Sequence, residues 1–372
     1  MLRTPAGRRQ VNDGISFRLW PVASRLALLY RRTIVRRTRV IAVVGSFGKS
    51  TTTRAVAAAL MAPTGTSTTA NAWTSVARAI LRIRPSQRYA AIEVGIAARG
   101  EMERYARMLR PDVTVVTSIG SEHHTKLGSL EMTRAEKAWM VRTLPASGTA
   151  VLNGDDANTL WMQTLAPGRV VSYGFGPGCD VRAEDAVLDW PRGTRFRLNA
   201  FGQTRDVTLR LIGRQMVYPA LAAIAVALAE GLPLDPVLAR ISRLPPTPGR
   251  MQPVPLPNGA VVLRDDYKST LETIHAALDV LADTPAARRI VLFGDLSEPH
   301  GHERPEYLAL GLRAARAATH LVVIGRGFRR YWAGARRGGM PRSAVSDGGR
   351  SVHQAAAVLH RMLQPGDVVL LK

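Results

Sequence analysis

Gly45-Ser46-Phe47-Gly48-Lys49-Ser50-Thr51-Thr52 lies between an apolar run, Val40-Ile41-Ala42-Val43-Val44, and a run rich in helix formers, Thr53-Arg54-Ala55-Val56-Ala57-Ala58-Ala59-Leu60. Strand, glycine loop, helix is the context in which a phosphate-binding loop works. The glycines let the backbone curl so that its N–H groups face an anion. The helix N-terminus adds partial positive charge, and Lys49 adds a full one. Ser50 or Thr51 offers a hydroxyl to Mg²⁺. The competing reading is a glycine turn before an ordinary helix, and Gly-Lys-Ser-Thr at the junction argues against it. The loop is also short. In the common motif, G-x-x-x-x-G-K-[ST], the first glycine would fall at Val43; here the pattern is G-x-x-G-K-S-T.

Around this loop the chain has 372 residues, which suits two domains better than one. Hydrophobic residues make up 46% and charged residues 21%, a globular rather than a disordered composition. Cys179 is the single cysteine, so no internal disulfide and no cysteine-held zinc is available. A reducing cytoplasm is the natural home for such a chain. The net charge is +23, from 51 basic and 28 acidic residues. That excess suits a nucleic acid, an anionic membrane or acidic substrates. A high-GC genome accounts for scattered arginine equally well. No interleaved aromatics or zinc-finger spacing suggests a dedicated nucleic-acid module.

Residues 1–38 read as a basic helical segment. Leu19-Trp20-Pro21-Val22-Ala23-Ser24-Arg25-Leu26-Ala27-Leu28-Leu29-Tyr30 is broken by Pro21 and Arg25 and is too short to span a bilayer. No secretory-type cleavage site follows it. Arginines at 31, 32, 36, 37 and 39 come at once. A segment of this kind either packs on its own domain or lies on an anionic membrane surface through residues 1–39.

Beyond the loop, Thr66 to Trp73 is a polar stretch suited to lie over a ligand, and Val76 to Ile83 reads as a helix. Tyr89 to Val94 reads as a buried strand carrying Glu93 near its C-terminal end, the end at which parallel sheets bind ligands. Glu93 is therefore placed to hold Mg²⁺. Glu101 to Arg110 reads as a helix and Val113 to Ile119 as the next strand. That strand delivers Gly120-Ser121-Glu122-His123-His124, where a histidine can ligate metal or polarise a substrate. A helix with Lys137 follows, then a strand from Gly148 ending in Asn153-Gly154-Asp155-Asp156.

Cys179 to Leu211 alternates, with turns at Pro191-Arg192-Gly193 and Phe201-Gly202-Gln203, and reads as antiparallel strands. Gln215 to Glu230 and Asp235 to Ser242 read as helices. Leu244-Pro245-Pro246-Thr247-Pro248-Gly249-Arg250 is the clearest linker. A second alternation of strands and helices fills the rest: strands at Val261–Leu263, Arg289–Phe293, His320–Ile324 and Val368–Leu371, helices ending at Leu281, Ala317 and Leu363. Strands alternating with helices imply a parallel sheet covered on both faces.

Together these landmarks resemble the Mur ligase family, the ATP-dependent amide ligases of cell-wall precursor synthesis, over about Arg39 to Lys372. The likeness is nearest the branch that adds D-alanyl-D-alanine to the muramoyl tripeptide. Gly45 to Thr52 is similar to the family's G-x-x-G-K-[ST]-T, and Ile92-Glu93-Val94-Gly95 to its I-E-x-G. Ile119-Gly120-Ser121-Glu122-His123, then Gly128-Ser129-Leu130-Glu131, then Lys137 resembles its run from a metal-binding histidine to a lysine. Asn153 with Asp155-Asp156 resembles its N-x-D-D turn. Gly249-Arg250-Met251 resembles the G-R-M at the border of its third domain, and Asp265-Asp266-Tyr267 the start of that domain's nucleotide-contacting motif.

The resemblance implies an α/β fold: a P-loop central domain over 39–246, with a parallel sheet and a small antiparallel β region, then a Rossmann-like C-terminal domain over 247–372. It implies ATP and Mg²⁺ as cofactors. Lys49, His123 and Lys137 would be catalytic. Gly45, Ser46, Phe47, Gly48, Lys49, Ser50, Thr51, Asn153, Arg250 and Asp266 would contact the nucleotide. Ser50, Glu93, His123 and a carbamylated Lys137 would hold metal.

The departures also carry meaning. The family's N-terminal UDP-sugar domain has no counterpart before Gly45, so a partner is implied that supplies it, or an acyl substrate that is not a nucleotide sugar. Gly213-Arg214-Gln215-Met216 stands for G-x-H-N, and Lys268-Ser269-Thr270 follows the acid and tyrosine; both alter expected contacts. The chain stops at Leu370-Leu371-Lys372, where the family continues into Gly-Ser and a last helix. The implied reaction activates a carboxylate as an acyl phosphate for attack by an amino acid or dipeptide amine. A polyglutamate- or cyanophycin-type ligase, a P-loop ATPase without ligase activity, and a non-catalytic nucleic-acid- or membrane-binding scaffold are the rival readings.

Overall fold

The computed structural model describes residues 5–63, 73–96, 98–121, 127–297 and 303–372, with the side chains of 5–17 and 303 left undescribed. The polar stretch 66–72 and the histidines at 123 and 124 lie outside the described residues. Two compact units divide the chain: Met1–Glu184, Leu198–Arg205 and Tyr218–Ile241 form the first, Asp185–Arg197, Asp206–Val217 and Ser242–Lys372 the second. They interleave along the sequence rather than meeting at one point.

The first sheet runs β2-β1-β3-β4-β5-β6-β7-β8. Its strands are β1 (Arg39–Val44), β2 (Tyr89–Glu93), β3 (Val113–Val116), β4 (Thr149–Asn153), β5 (Arg169–Gly174), β6 (Val181–Asp189), β7 (Gly193–Ala200) and β8 (Gln203–Leu209). From β2 to β6 every pairing is parallel. Every residue of β2, β3 and β4 is buried, as befits strands covered on both faces. The turns after β6 and β7 are too short for parallel crossovers, so β6 to β8 form the expected antiparallel meander.

Among the helices of this unit are α1 (Pro5–Thr33), α2 (Lys49–Leu60), α3 (Thr74–Leu81) and α4 (Glu101–Leu109). Val40, Ala42 and Val44 of β1 share a core with Val76, Ile80, Tyr105 and Leu109. The basic N-terminal segment is one continuous helix through Pro21, and it packs on its own unit. Trp20 meets Trp73 and Tyr105 edge to face, at centroid distances of 5.6 and 5.5 Å. At the other end the buried Arg31 donates to the carbonyls of Leu109, Val35 and Arg110 and pairs with Asp112 at 2.8 Å. A guanidinium thereby takes up carbonyls that the end of α4 leaves without intrahelical partners. Among the described residues no helix is long and apolar enough to cross a membrane.

The second unit holds a sheet of order β13-β12-β11-β14-β10-β9. Its strands are β9 (Gln252–Pro255), β10 (Val261–Arg264), β11 (Arg289–Phe293), β12 (His320–Val323), β13 (Val345–Asp347) and β14 (Val368–Leu371). All pairings are parallel except β9 with β10. Pro253 and Pro255 lack the N–H that an inner strand must donate, so β9 can only be an edge. A helix at Phe328–Arg337 is absent from the expectations above, although its buried Tyr331, Gly334 and Ala335 share one face and arginine and alanine are good helix formers. That face is tightly packed. A Cβ on Gly334 would lie 2.1 Å from the Leu308 carbonyl oxygen, and one on Gly311 would lie 2.2 Å from that of Tyr331. The two glycines let this helix and Glu303–Ala317 approach backbone to backbone.

Candidate active site

The loop after β1 is built by the C-terminal tip of β3. Gly45 takes φ +142°, and a Cβ there would sit 2.0 Å from Thr117 Oγ1. Only glycine fits that approach. Ser46 N donates to Ser118 O at 2.7 Å, and Phe47 N to Ser118 Oγ at 3.1 Å. Thr117 Oγ1 donates to Phe47 O at 2.6 Å. Ser46 Oγ accepts from Gly120 N at 2.9 Å. Gly48, at φ +80°, then turns the chain into α2, whose first residue is Lys49. Gly45→Ala is expected to abolish ATP binding while leaving the second unit folded. Nucleotide titration alongside thermal melting checks it; retained affinity would contradict the tight contact.

Three cationic or acidic groups gather at this edge. Lys49 Nζ donates to the carbonyls of Gly45 and Ser46, each at 2.9 Å. Lys137, fully buried at the end of the helix Leu130–Lys137, donates to Ser46 Oγ at 2.9 Å. Glu93 ends β2 opposite Val43, one residue before the loop's own strand ends, and is buried. Ser50 is buried in the first turn of α2. A serine hydroxyl and a carboxylate are hard oxygen donors of the kind Mg²⁺ takes, so these two residues fit that ion. His123 lies outside the described residues. Among the described residues no three or more His, Cys, Asp or Glu side chains form a metal cage.

Asn153 lies at the same edge. Its Nδ2 donates to Thr117 O at 2.9 Å and its Oδ1 accepts from Asp155 N at 3.1 Å. Asp156 Oδ2 accepts from Ile119 N at 2.7 Å. These side chains brace the β3 tip that holds the loop. Thr117 and Ser118 are positioning residues that the sequence reading did not single out. The faint signal for them was a Thr-Ser pair ending a buried strand. Burial first, then Asp155 beside it, push the Cys179 thiol up to about 11, so it is not a ready nucleophile.

Arg250 and Asp266 belong to the second unit. The Arg250 guanidinium lies 4.3 Å over the Tyr267 ring, and Arg264 pairs with the exposed Asp266 at 3.0 Å. Beneath them Asp265 accepts from Met251 N at 3.1 Å and pairs with Lys372 Nζ, which also donates to Lys268 O. Burial holds Asp265 above the usual carboxylate range and Lys372 below the usual amine range, and their mutual attraction offsets part of each shift.

The Mur ligase middle domain model matches residues 43–227, and the Mur ligase glutamate ligase domain model matches 249–372. The UDP-N-acetylmuramoyl-tripeptide–D-alanyl-D-alanine ligase of Mycobacterium tuberculosis is 30% identical over 394 residues, covering 97% of this chain and 75% of that protein. Its Escherichia coli counterpart is 31% identical over 287 residues, covering 75% of this chain and 62% of that protein. The crystal structure of MurF from Acinetobacter baumannii aligns with a TM-score of 0.82 at 25% identity, covering 94% of this chain and 76% of that one. On this match across both units, together with the short glycine loop and its braced β3 tip, the chain belongs to the Mur ligase family.

Proposed function

We propose that the protein is an ATP-dependent carbon–nitrogen ligase of cell-wall precursor synthesis, joining a peptide carboxylate to the amine of a dipeptide. The observation that carries the reading is the loop Gly45–Thr52, with Lys49 in it and Lys137, Glu93 and Ser50 converging on the same sheet edge. A carboxylate resists amide formation because oxide is a poor leaving group. Phosphoryl transfer from ATP turns it into an acyl phosphate; the amine attacks, and phosphate departs from the tetrahedral intermediate.

Such a transfer needs charge neutralisation and in-line positioning more than covalent help. Lys49 would leave its own loop's carbonyls for the β- and γ-phosphate oxygens. The backbone N–H groups of 48–50 and the N-terminus of α2 would cradle the rest. Magnesium held by Ser50 and Glu93 would supply further neutralisation of phosphate charge. Lys137 adds a buried positive group beside Ser46, and its carbamylation would make it an oxygen ligand instead. Arg250 and Asp266 would serve the nucleotide from the second unit. The tripeptide nucleotide and D-alanyl-D-alanine named in the relatives are the first substrate pair to test.

The test is phosphate release from ATP and Mg²⁺ with that pair, then with pools of other carboxylates and amino acids. Turnover that needs both an acid and an amine is the expected result. ATP turnover indifferent to any amine would leave an ATPase and overturn the ligase reading. Ligation of free glutamate or aspartate in place of the dipeptide would move the protein to the amino-acid ligases.

A further inference from the structure

The inner face of α1 is committed to its own unit through Trp20, Ala27 and Arg31. The outer face is not. Leu19, Val22, Leu26 and Leu29 are each more than half exposed. Their spacing of three, four and three residues puts them in one stripe along the helix. Arg18, Arg25 and Arg32 recur every seven residues, are exposed, and form a row beside it.

Where the row ends, Arg32 also lines a cleft of about 510 Å³ with Arg31, Arg36 and Arg110. Its acid, Asp112, is taken up by Arg31, Arg39 and the Val40 N–H. Residues 18–39 hold seven arginines and no acidic residue.

We propose that this face of α1 docks the protein on an anionic lipid bilayer. The leucine stripe would enter the interface, and Arg32, Arg36 and Arg110 would hold a lipid phosphate in the cleft. The charge argues for this occupant. A second copy would bring the same arginine row and no acid to meet it, a like-charge contact that costs binding. A soluble anion would use the cleft but leave the stripe in water. A helix with a leucine face beside an arginine face is the form that lies in the plane of a membrane surface. Guanidinium forks match phosphate geometry. The proposal does not rest on the ligase reading, since it concerns a face made by α1, α4 and the chain after them.

Flotation of the full chain with vesicles tests it, using phosphatidylcholine alone or with about thirty per cent phosphatidylglycerol. Binding is expected only with phosphatidylglycerol, and should fall steeply as salt is raised. Leu26→Ser/Leu29→Ser and Arg25→Ala/Arg32→Ala are each expected to weaken it about tenfold or more, since each removes one of two required signals. All four positions are exposed, so circular dichroism should be unchanged and phosphate release without vesicles should match the unaltered chain. Equal binding to neutral vesicles, binding indifferent to both variants, or no binding at low salt would overturn the proposal. So would a dimer lost in Leu26→Ser/Leu29→Ser without vesicle binding.

Discussion

Lys49→Ala is expected to lower ATP-dependent product formation by about a thousandfold, at the upper end of what one preorganised donor contributes in a transition state. The loop should survive the change. Its shape is set by Thr117, Ser118 and Gly120, which bond to Ser46 and Phe47 through atoms that Lys49 does not supply. The buried carbonyls of Gly45 and Ser46 lose the donor they have at 2.9 Å, which costs some stability but leaves the bonds that shape the loop. The loss therefore falls on the phosphates. Developing charge on the γ-phosphoryl oxygens would find N–H dipoles but no full positive charge from the loop. Steady-state turnover should collapse while the melting temperature stays within a few degrees. Turnover within tenfold of the unaltered chain would refute the assignment of Lys49 to the phosphates.

Lys372→Met is expected to destabilise the second unit by about 3–5 kcal/mol, the usual cost of leaving a buried charge without its partner. Asp265 would keep the Met251 N–H and lose its ammonium. The pH dependence has a definite sign. Burial already raises the Asp265 carboxyl, and without Lys372 nothing of comparable strength offsets it. A carboxyl whose folded value lies above its unfolded value, about 3.9, favours folding while protonated and loses that contribution as pH rises through the folded value. The deficit of Lys372→Met relative to the unaltered chain should thus be small near pH 4 and largest at neutral pH. Adding Asp265→Leu should recover much of it, because an apolar pair of similar size can replace a buried ion pair. Denaturant midpoints at several pH values measure both effects. A deficit that does not change with pH would place the loss in packing instead.

Much of the first unit was legible in the sequence because its signals are local. Apolar runs without alternation mark strands buried on two faces, and β1 to β4 follow them closely. The glycine loop declares itself by its neighbours on either side. What the sequence hid is long-range. Nothing near Arg31 foretells that it caps α4 from a position 78 residues earlier in the chain. Nothing near Lys372 points to Asp265. That Gly334 of Phe328–Arg337 meets Gly311 across a helix contact is equally invisible in the local sequence. The role of Ser118 depends on a strand tip lying under a loop made some seventy residues before it. The motifs name the groups that carry charge to a ligand, and they are silent on the groups that hold those in place.

The Arg31 anchor has a bearing on how this protein can be dissected. A basic helix ahead of the glycine loop invites removal, and cutting at Arg39 would look conservative. The fold does not permit it. Without α1, the aromatic faces of Trp73 and Tyr105 would open to water, the last carbonyls of α4 would lose their donor, and Asp112 would keep Arg39 but not Arg31. A shortened chain would thus be a wounded domain rather than a minimal one, and any lost activity in it would say nothing about what the helix does at its outer face. The separable question is posed by surface substitutions alone, with the helix left in place as the wall it forms.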